Sequence, residues 1–410
     1  MKISSKVHFF LKENWLVMLI LGSCLVISFN IIRSVPQFNQ ISYGTQFTKL
    51  ASSFVNGKLD ITNYFQGDIA LFNSKKYVYF GPFPALLFIP LTIVFGENIP
   101  EQLILLFILP LVFYSLYKIA KAQYLNQNFA LWLSLFFVFG TIFWLLWLLP
   151  IDAYLVQVVG SSLVIFSLYE FFHKKRWWLI STYLACAIAT RATLLLACAF
   201  FILELWFDKR VNQKSKLLNL RQFLVPVGIT IVLLSLYNFA RFGSIFDTGY
   251  AYNSPLSTEL QATREYGLFS LAHIPGNLFL LLFKSPDPVR ISNLHYVLKF
   301  PFLKADYWGM SIFITTPLFL FVFLTKLRDK YVFSAWVTTL LLLIPSLLYY
   351  GYGIWQYGYR YGVDFYPFLF ILLGSVLKPE FQFKAKILII WGIVLNFYLM
   401  LSMWGIYPPY

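Results

Sequence analysis

The chain reads as an all-α polytopic membrane protein with about eleven transmembrane helices and one re-entrant or half helix, each crossing needing about 20 apolar residues. Three observations carry this reading. Of its 410 residues 59% are hydrophobic and 12% are charged, where a soluble domain carries about 25% charged residues. The apolar residues fall in long runs between positions 15 and 403. The lysines and arginines fall in short clusters between those runs, which is the pattern that sets orientation in a membrane.

Lys2, Lys6 and Lys12 precede the first run and place the N-terminus in the cytoplasm. Residues 15–32 are the first span. They are long enough to remain as an anchor and no small-residue cleavage site follows, so no cleavable signal peptide is expected. Residues 33–101 form the first outer loop. It holds Asp60 and Asp68, then Lys75, Lys76, Tyr77 and Tyr79, and closes on an apolar run at 81–96. Pro82, Pro84 and Pro90 interrupt that short run, so it is expected to dip toward lipid and return. Spans follow at 103–117, 130–149 and 153–172. The runs 178–189 and 192–207 are each short and are expected to form a hairpin with Thr190, Arg191 and Ala192 at its tip. After a span at 223–240, residues 242–308 form a second large outer loop, whose Gly, Pro, Asn and Ser content predicts short interfacial helices, one of them near 276–283. Spans at 310–325, 332–350, 363–377 and 387–403 complete a single transmembrane domain, 1–410.

Parity supports the list. Lys118 and Lys121, the 173–176 cluster, 208–221, 326–330 and 378–386 all reach the cytoplasm if 81–96 does not cross and 178–207 is a hairpin. This places the protein in the plasma (inner) membrane with its polar loops on the outer face. The formal charge of +15 is then an orientation signal and not a nucleic-acid surface. Cys24, Cys186 and Cys198 sit in apolar runs as small core residues, with no disulfide framework or zinc-ligand spacing. No internal repeat is present, which weighs against inverted-repeat transporters.

The groups that could carry chemistry converge on the outer side: Asp60, Asp68, Asp152, Asp247, Asp306 and Asp364, joined by Arg191, Arg241 and Arg360. An arginine fork binds phosphate bidentately and keeps its charge. A carboxylate at such a site can act as general base or hold a cation. Together they describe a site for an anionic, lipid-linked phosphate reached from the bilayer. Each residue also has a plainer reading. Arg191 can snorkel from a hairpin tip, Arg360 can pair with Asp364 one helical turn away, Asp152 can cap a helix and Asp247 can serve a turn. Trp355, Tyr357, Tyr359 and Tyr361 suit an interfacial belt better than a sugar-stacking platform.

Several stretches resemble one family. They are Asp68 to Asn73 followed by YVYFGPFPALL, Thr190-Arg191-Ala192-Thr193, the run from Tyr237 to Gly243, Trp308-Gly309-Met310-Ser311 and Tyr359-Arg360-Tyr361. With the first span, the long outer loop and its early Asp, this layout resembles the GT-C superfamily of integral-membrane glycosyltransferases. The resemblance implies a GT-C-like fold and an inverting transfer of sugar from a polyprenyl-phosphate donor to a glycan, lipid or protein acceptor at the outer face. It gives the role of catalytic base to Asp68 or Asp60, with Asp68 favoured because it leads into the proline run, and matches Asp152 by position. It gives the lipid phosphate to Arg191, Arg360 and Arg241, and contacts with sugar or acceptor to Tyr77, Tyr79 and Trp355. The adjacent acidic pair of many members is missing, since Asp60 and Asp68 stand apart. That leaves the base, and any Mg2+ or Mn2+, open. A transporter or flippase of a lipid-linked glycan is the alternative from another class. It calls for polar groups through several spans, and 130–149, 223–240 and 387–403 carry almost none.

Overall fold

The structure is a computed structural model that describes residues 5–34, 46–62, 68–97, 99–123, 126–149, 151–253, 257–291 and 297–404. The stretches 35–45 and 63–67 of the first loop, and Pro150 beside Asp152, lie outside the described residues.

Among the described residues five helices are long and apolar enough to cross a membrane: α1 (Ser5–Ser34), α4 (Gln102–Ala122), α7 (Asp152–His173), α10 (Gln213–Phe242) and α16 (Pro379–Trp404). Shorter helices fill the space between them: α2 (Gln46–Val55), α3 (Phe83–Phe95), α5 (Gln127–Phe139), α6 (Phe143–Leu148), α8 (Trp177–Thr190), α9 (Cys198–Phe207), α11 (Thr258–Arg264), α12 (Ile274–Leu282), α13 (Ile312–Thr315), α14 (Val332–Leu348) and α15 (Tyr366–Val376). The chain is an integral membrane protein. Its centre is α7, flanked by α4, α8 and α15. Of the apolar window of α7, 78% is buried, against 11% in α10. A helix that leaves so much apolar surface outward faces lipid, so α10 is a wall and α7 is a core post.

Several expectations are corrected. The fold is mostly helical as expected, but two small ribbons are added to it: β1 (Ile69–Phe72) pairs antiparallel with β2 (Lys75–Val78), with Ile69 opposite Val78, and β3 (Asp287–Arg290) pairs antiparallel with β4 (Leu298–Lys304). Residues 130–149 are two helices, because the chain turns at Gly140 and Thr141 between α5 and α6. Residues 310–325 are a single α-turn and a 3-10 segment, Pro317–Leu324. The residue before a proline is held away from helical backbone, and Thr316 has φ −141°. Residues 360–364 form a 3-10 turn ahead of α15 rather than its first turn. Helices α10 and α16 begin earlier than 223 and 387 and take in neighbouring basic residues, Lys214, Lys216 and Arg221 in one and Lys384 and Lys386 in the other.

Other expectations hold in detail. Helix α8 and the segment 192–207 do form a hairpin. Its open ends meet where Lys175 Nζ lies 3.5 Å from Asp208 Oδ2, and Arg191 is at the break between α8 and the 3-10 segment Ala192–Ala197. The proline run becomes α3, with Pro82 as its N-cap residue. Gly81 docks its backbone on the hairpin tip, its N–H donating to the Thr190 carbonyl at 3.2 Å. A Cβ at Gly81 would sit 2.1 Å from the Ala189 carbonyl oxygen, so only glycine allows this approach. The first outer loop and the hairpin tip are thereby locked together.

Candidate active site

The loops gathered around that lock enclose a cavity of about 800 Å³. One side is the first loop, from Asp68 and Tyr79 to Pro82. A second is the hairpin tip with Arg191 and Thr193, and a third is the segment from Gly351 to Asp364. Helices α10 and α14 close the remaining side with Leu234, Tyr237 and Asn238 from one and Leu342, Pro345 and Ser346 from the other. Helix α9 packs against both.

Asp68 stands directly before β1 with φ +66°, a backbone region that Asp tolerates better than most residues. The Tyr79 hydroxyl donates to its Oδ1 at 2.5 Å. The Asn253 amide donates to that hydroxyl at 3.3 Å, and a bridge between Ala70 and Asn253 holds the two segments in register. Burial, and next the Asp68 carboxylate, push the Tyr79 phenol well above its ordinary range, so it remains a donor to Asp68. Gln46, the first residue of α2, holds the Asp68 carbonyl through its side-chain amide at 2.8 Å.

Arg191 is not a snorkelling tip. Its Nη2 and Nε lie 2.9 and 3.3 Å from Asp364 Oδ2, and Thr193 Oγ1 donates to the same oxygen at 3.3 Å. The local pair of Arg360 with Asp364, the plainer of two readings of that spacing, does not form. Residues 360–364 form a 3-10 turn, which does not stack positions four apart as an α-helix does, and Asp364 turns to the arginine 173 positions away. Arg360 is left without a carboxylate partner among the described residues, and its Nε is buried with no hydrogen bond. Its guanidinium lies over the rings of Tyr361 and Tyr154, 5.1 and 5.4 Å from their centroids. Its electrostatic neighbours include Asp68 and Arg191. Gln356 fixes this loop. It is fully buried, donates to the carbonyls of Trp308 and Tyr352 at 2.8 and 2.7 Å and accepts the Arg360 N–H at 3.2 Å. Gly353, at φ +96°, lies so close that a Cβ there would meet the Gln356 amide at 2.7 Å and Arg360 Nε at 2.8 Å.

The other candidates separate. Trp355 lines the cavity in a positive-φ backbone, φ +65°, and its carbonyl accepts the Tyr154 hydroxyl. For a bulky residue this backbone is an outlier of the kind that gathers at functional sites. Tyr357 and Tyr359 are fully buried and Tyr361 faces the cavity, so this stretch is not an interfacial belt: the loop folds inward over the cavity. Arg241 borders the cavity but spends itself internally, donating to the Val78 carbonyl at 2.6 Å and to Asn238 at 2.8 Å. Asp60 is outside the cavity lining, 3.9 Å from Lys75, and Tyr77 is buried beneath the β1–β2 ribbon against Phe242. Asp247 serves a turn, accepting from Gly249 N–H and the Tyr252 hydroxyl.

Asp152 does not cap its own helix, whose N-cap is Ile151. It lines the cavity and accepts the Gln46 N–H at 3.4 Å. Beside it Glu101 accepts the N–H groups of Phe47 and Thr48 at 2.6 and 3.1 Å. Two carboxylates from other parts of the chain thus satisfy the first N–H groups of α2, where the helix dipole favours negative charge. Burial first, then the Asp152 charge, push the Glu101 carboxyl well above its ordinary range. Sequence reasoning missed Gln46, Glu101, Gln356 and the tyrosines 154, 250 and 349. Only Glu101 carried a signal, as a carboxylate next to an apolar run.

Among the described residues the donor set does not fit Mg2+ or Mn2+, which the sequence left open. Among the described residues no three of His, Cys, Asp and Glu gather as ligands, one Asp68 oxygen is taken by a phenol, and Arg191 and Arg360 face the same space.

No family model and no curated protein matches the chain. Among solved structures it is similar to the oligosaccharyltransferase of Archaeoglobus fulgidus in the apo form, with 12% sequence identity and a TM-score of 0.45 over 94% of this chain and 55% of that one. The chain spans about half the length of that neighbour.

Proposed function

We propose that this chain is a membrane glycosyltransferase of GT-C type that takes a sugar from a polyprenyl-phosphate donor and passes it to a hydroxyl of a glycan, lipid or protein acceptor at the outer face. The observation that carries this is the pairing, in one cavity, of a held carboxylate with an arginine that, among the described residues, forms no ion pair. Asp68 supplies the carboxylate and Arg360 the unmatched positive charge. The wall formed by α10 and α14 suits a lipid-borne substrate, because α10 faces the bilayer and brings apolar residues to the cavity.

In the step we propose, the acceptor oxygen forms a bond to the anomeric carbon and its proton passes to Asp68. The bond from that carbon to the phosphate oxygen breaks, and the electron pair leaves with the polyprenyl phosphate. Arg360 meets the added phosphate charge, and Arg191, already half-neutralised by Asp364, adds to the field. Tyr79 holds the carboxylate, and Tyr154, Tyr361 and Trp355 offer the donor sugar or acceptor aromatic faces. No step is routed through a metal.

Purified protein in proteoliposomes, given radiolabelled polyprenyl-phosphate sugars and envelope acceptors, tests this. Asp68→Asn is expected to lower transfer by about 10²- to 10⁴-fold, the usual worth of a positioned general base, while donor binding persists. Arg360→Ala is expected to weaken donor binding. Equal transfer by wild type and Asp68→Asn would remove Asp68 as the base, and labelled lipid crossing the bilayer without transfer would favour the flippase reading.

A further inference from the structure

The ribbon formed by β3 and β4 plays no part in that chemistry. It stands in the second large loop, and among the described residues neither of its strands carries a buried side chain. Its apolar side chains are out of place for water: Phe300 is 81% exposed and Phe302 53%, with Val297, Leu303 and Ile291 also exposed. A lone two-stranded ribbon is at best marginally stable by itself, and a cluster of exposed apolar side chains marks a surface that something covers. Basic residues lie among them, Arg290 and Lys299 exposed and Lys304 half-exposed. The ribbon's one acidic group, Asp287, is occupied by Lys284 at 3.0 Å.

The position of the ribbon identifies the cover. The Tyr398 hydroxyl donates to the Leu303 carbonyl at 2.6 Å, and Ser402 Oγ accepts the Ala305 N–H at 3.1 Å. Tyr398 and Ser402 belong to the last two turns of an apolar helix long enough to cross the membrane, 379–403. The base of β4 therefore sits at the depth where that helix leaves the hydrocarbon. Phe300 and Phe302 are only three residues and one residue from that attachment. Aromatic side chains beside lysines and arginines at this depth match the two components of a membrane interface, the acyl boundary and anionic head groups.

We propose that the β3–β4 ribbon is a membrane-seated foot, with Phe300 and Phe302 entering the head-group boundary and Arg290, Lys299 and Lys304 binding anionic lipid head groups. This is independent of the glycosyltransferase reading. Each basic residue held near an anionic surface favours the bound state by about fivefold, so the seating depends on lipid charge.

The test is a cysteine at position 300, Phe300→Cys, labelled with an environment-sensitive fluorophore, the parent protein serving as control for labelling of Cys186. The protein is reconstituted in phosphatidylcholine with or without phosphatidylglycerol. The expected result is quenching by lipids carrying a nitroxide near the head group, at least about twofold stronger with phosphatidylglycerol, and loss of that gain in the Lys299→Glu, Lys304→Glu background. A label at Ile229, on the lipid-facing wall of α10, reports whether the protein is folded and inserted in each preparation. Quenching at position 300 by aqueous iodide and not by nitroxide lipid would overturn the proposal. So would protection from both quenchers that rises with protein density, which would make the cover a second copy of the chain.

Discussion

Helix α8 separates two arginine–carboxylate pairs that look alike on paper and differ in everything that matters. At its start, Arg176 makes two bonds of 2.8 Å to Glu170, six residues away, with the arginine side chain 44% exposed. Just past its end, Arg191 reaches Asp364 at 2.9 Å across 173 residues, with side chains 12% and 6% exposed. The first pair is local and half-exposed, its arginine open to solvent and its glutamate side chain only 3% exposed. The second is buried and joins the hairpin tip to the loop before α15. In a half-exposed pair water still serves one of the two charges and weakens their mutual dependence. A buried pair has lost that water, so each partner becomes the condition for the other. Arg360 extends the contrast: it lines the same cavity and, among the described residues, forms no ion pair with a carboxylate.

The sharpest way to break this comparison is Asp364→Asn. It strands Arg191, and the expected loss is about 3–5 kcal/mol of stability, read from thermal unfolding in detergent. The double variant Arg191→Met, Asp364→Leu should recover most of it, since removing both charges is often near neutral. An unchanged melting curve for Asp364→Asn would mean that water reaches Arg191 and that the two pairs are equivalent.

A smaller, pH-dependent effect is expected at the other buried acid, Glu101. Its carboxyl is raised in the folded protein by burial and then by Asp152. A carboxyl raised on folding supports the fold most fully below its ordinary value of 4.5 and loses that support as pH rises toward the raised value. Unfolding followed from mildly acidic to alkaline pH should show wild type losing stability, and Glu101→Gln, which can still accept from Phe47 and Thr48, losing less. Parallel curves for the two proteins would show that Glu101 keeps an ordinary carboxyl. The last effect belongs to the half-exposed pair: Arg176→Ala should cost less than Asp364→Asn, because removing the exposed arginine opens Glu170 to water, and a loss as large as that of Asp364→Asn would show that Glu170 stays dry.

Much of the architecture was legible because it follows from composition and local spacing. The apolar runs announced most of the helices, the prolines at 82, 84 and 90 announced a re-entrant or half helix in place of a full span, and the clusters at 173–176 and 208–221 announced a hairpin between them. The ribbons were not legible, since four-residue strands carry too few positions to show a period. The breaks at Gly140 and Pro317 were hidden by the apolar residues around them. Within the site, Asp68, Arg191 and Arg360 stood out because charge near a membrane is costly. The partner of Arg191 did not, and the helical rule applied to Arg360 and Asp364 gave the wrong one because the backbone there is 3-10.

The amino-acid sequence alone determined that this chain lives in a membrane, where most of its helices run, and that several of its acids and arginines belong near one another. Those follow from hydropathy and the cost of burying charge, which are properties of single residues and their near neighbours. Only the tertiary structure decided which charge meets which: Asp364 with Arg191, Tyr79 with Asp68, Glu101 and Asp152 with the N-terminus of α2, and the Arg360 guanidinium with the faces of Tyr361 and Tyr154. Such partners are set by which loops arrive at the same place, and that depends on the packing of the whole bundle.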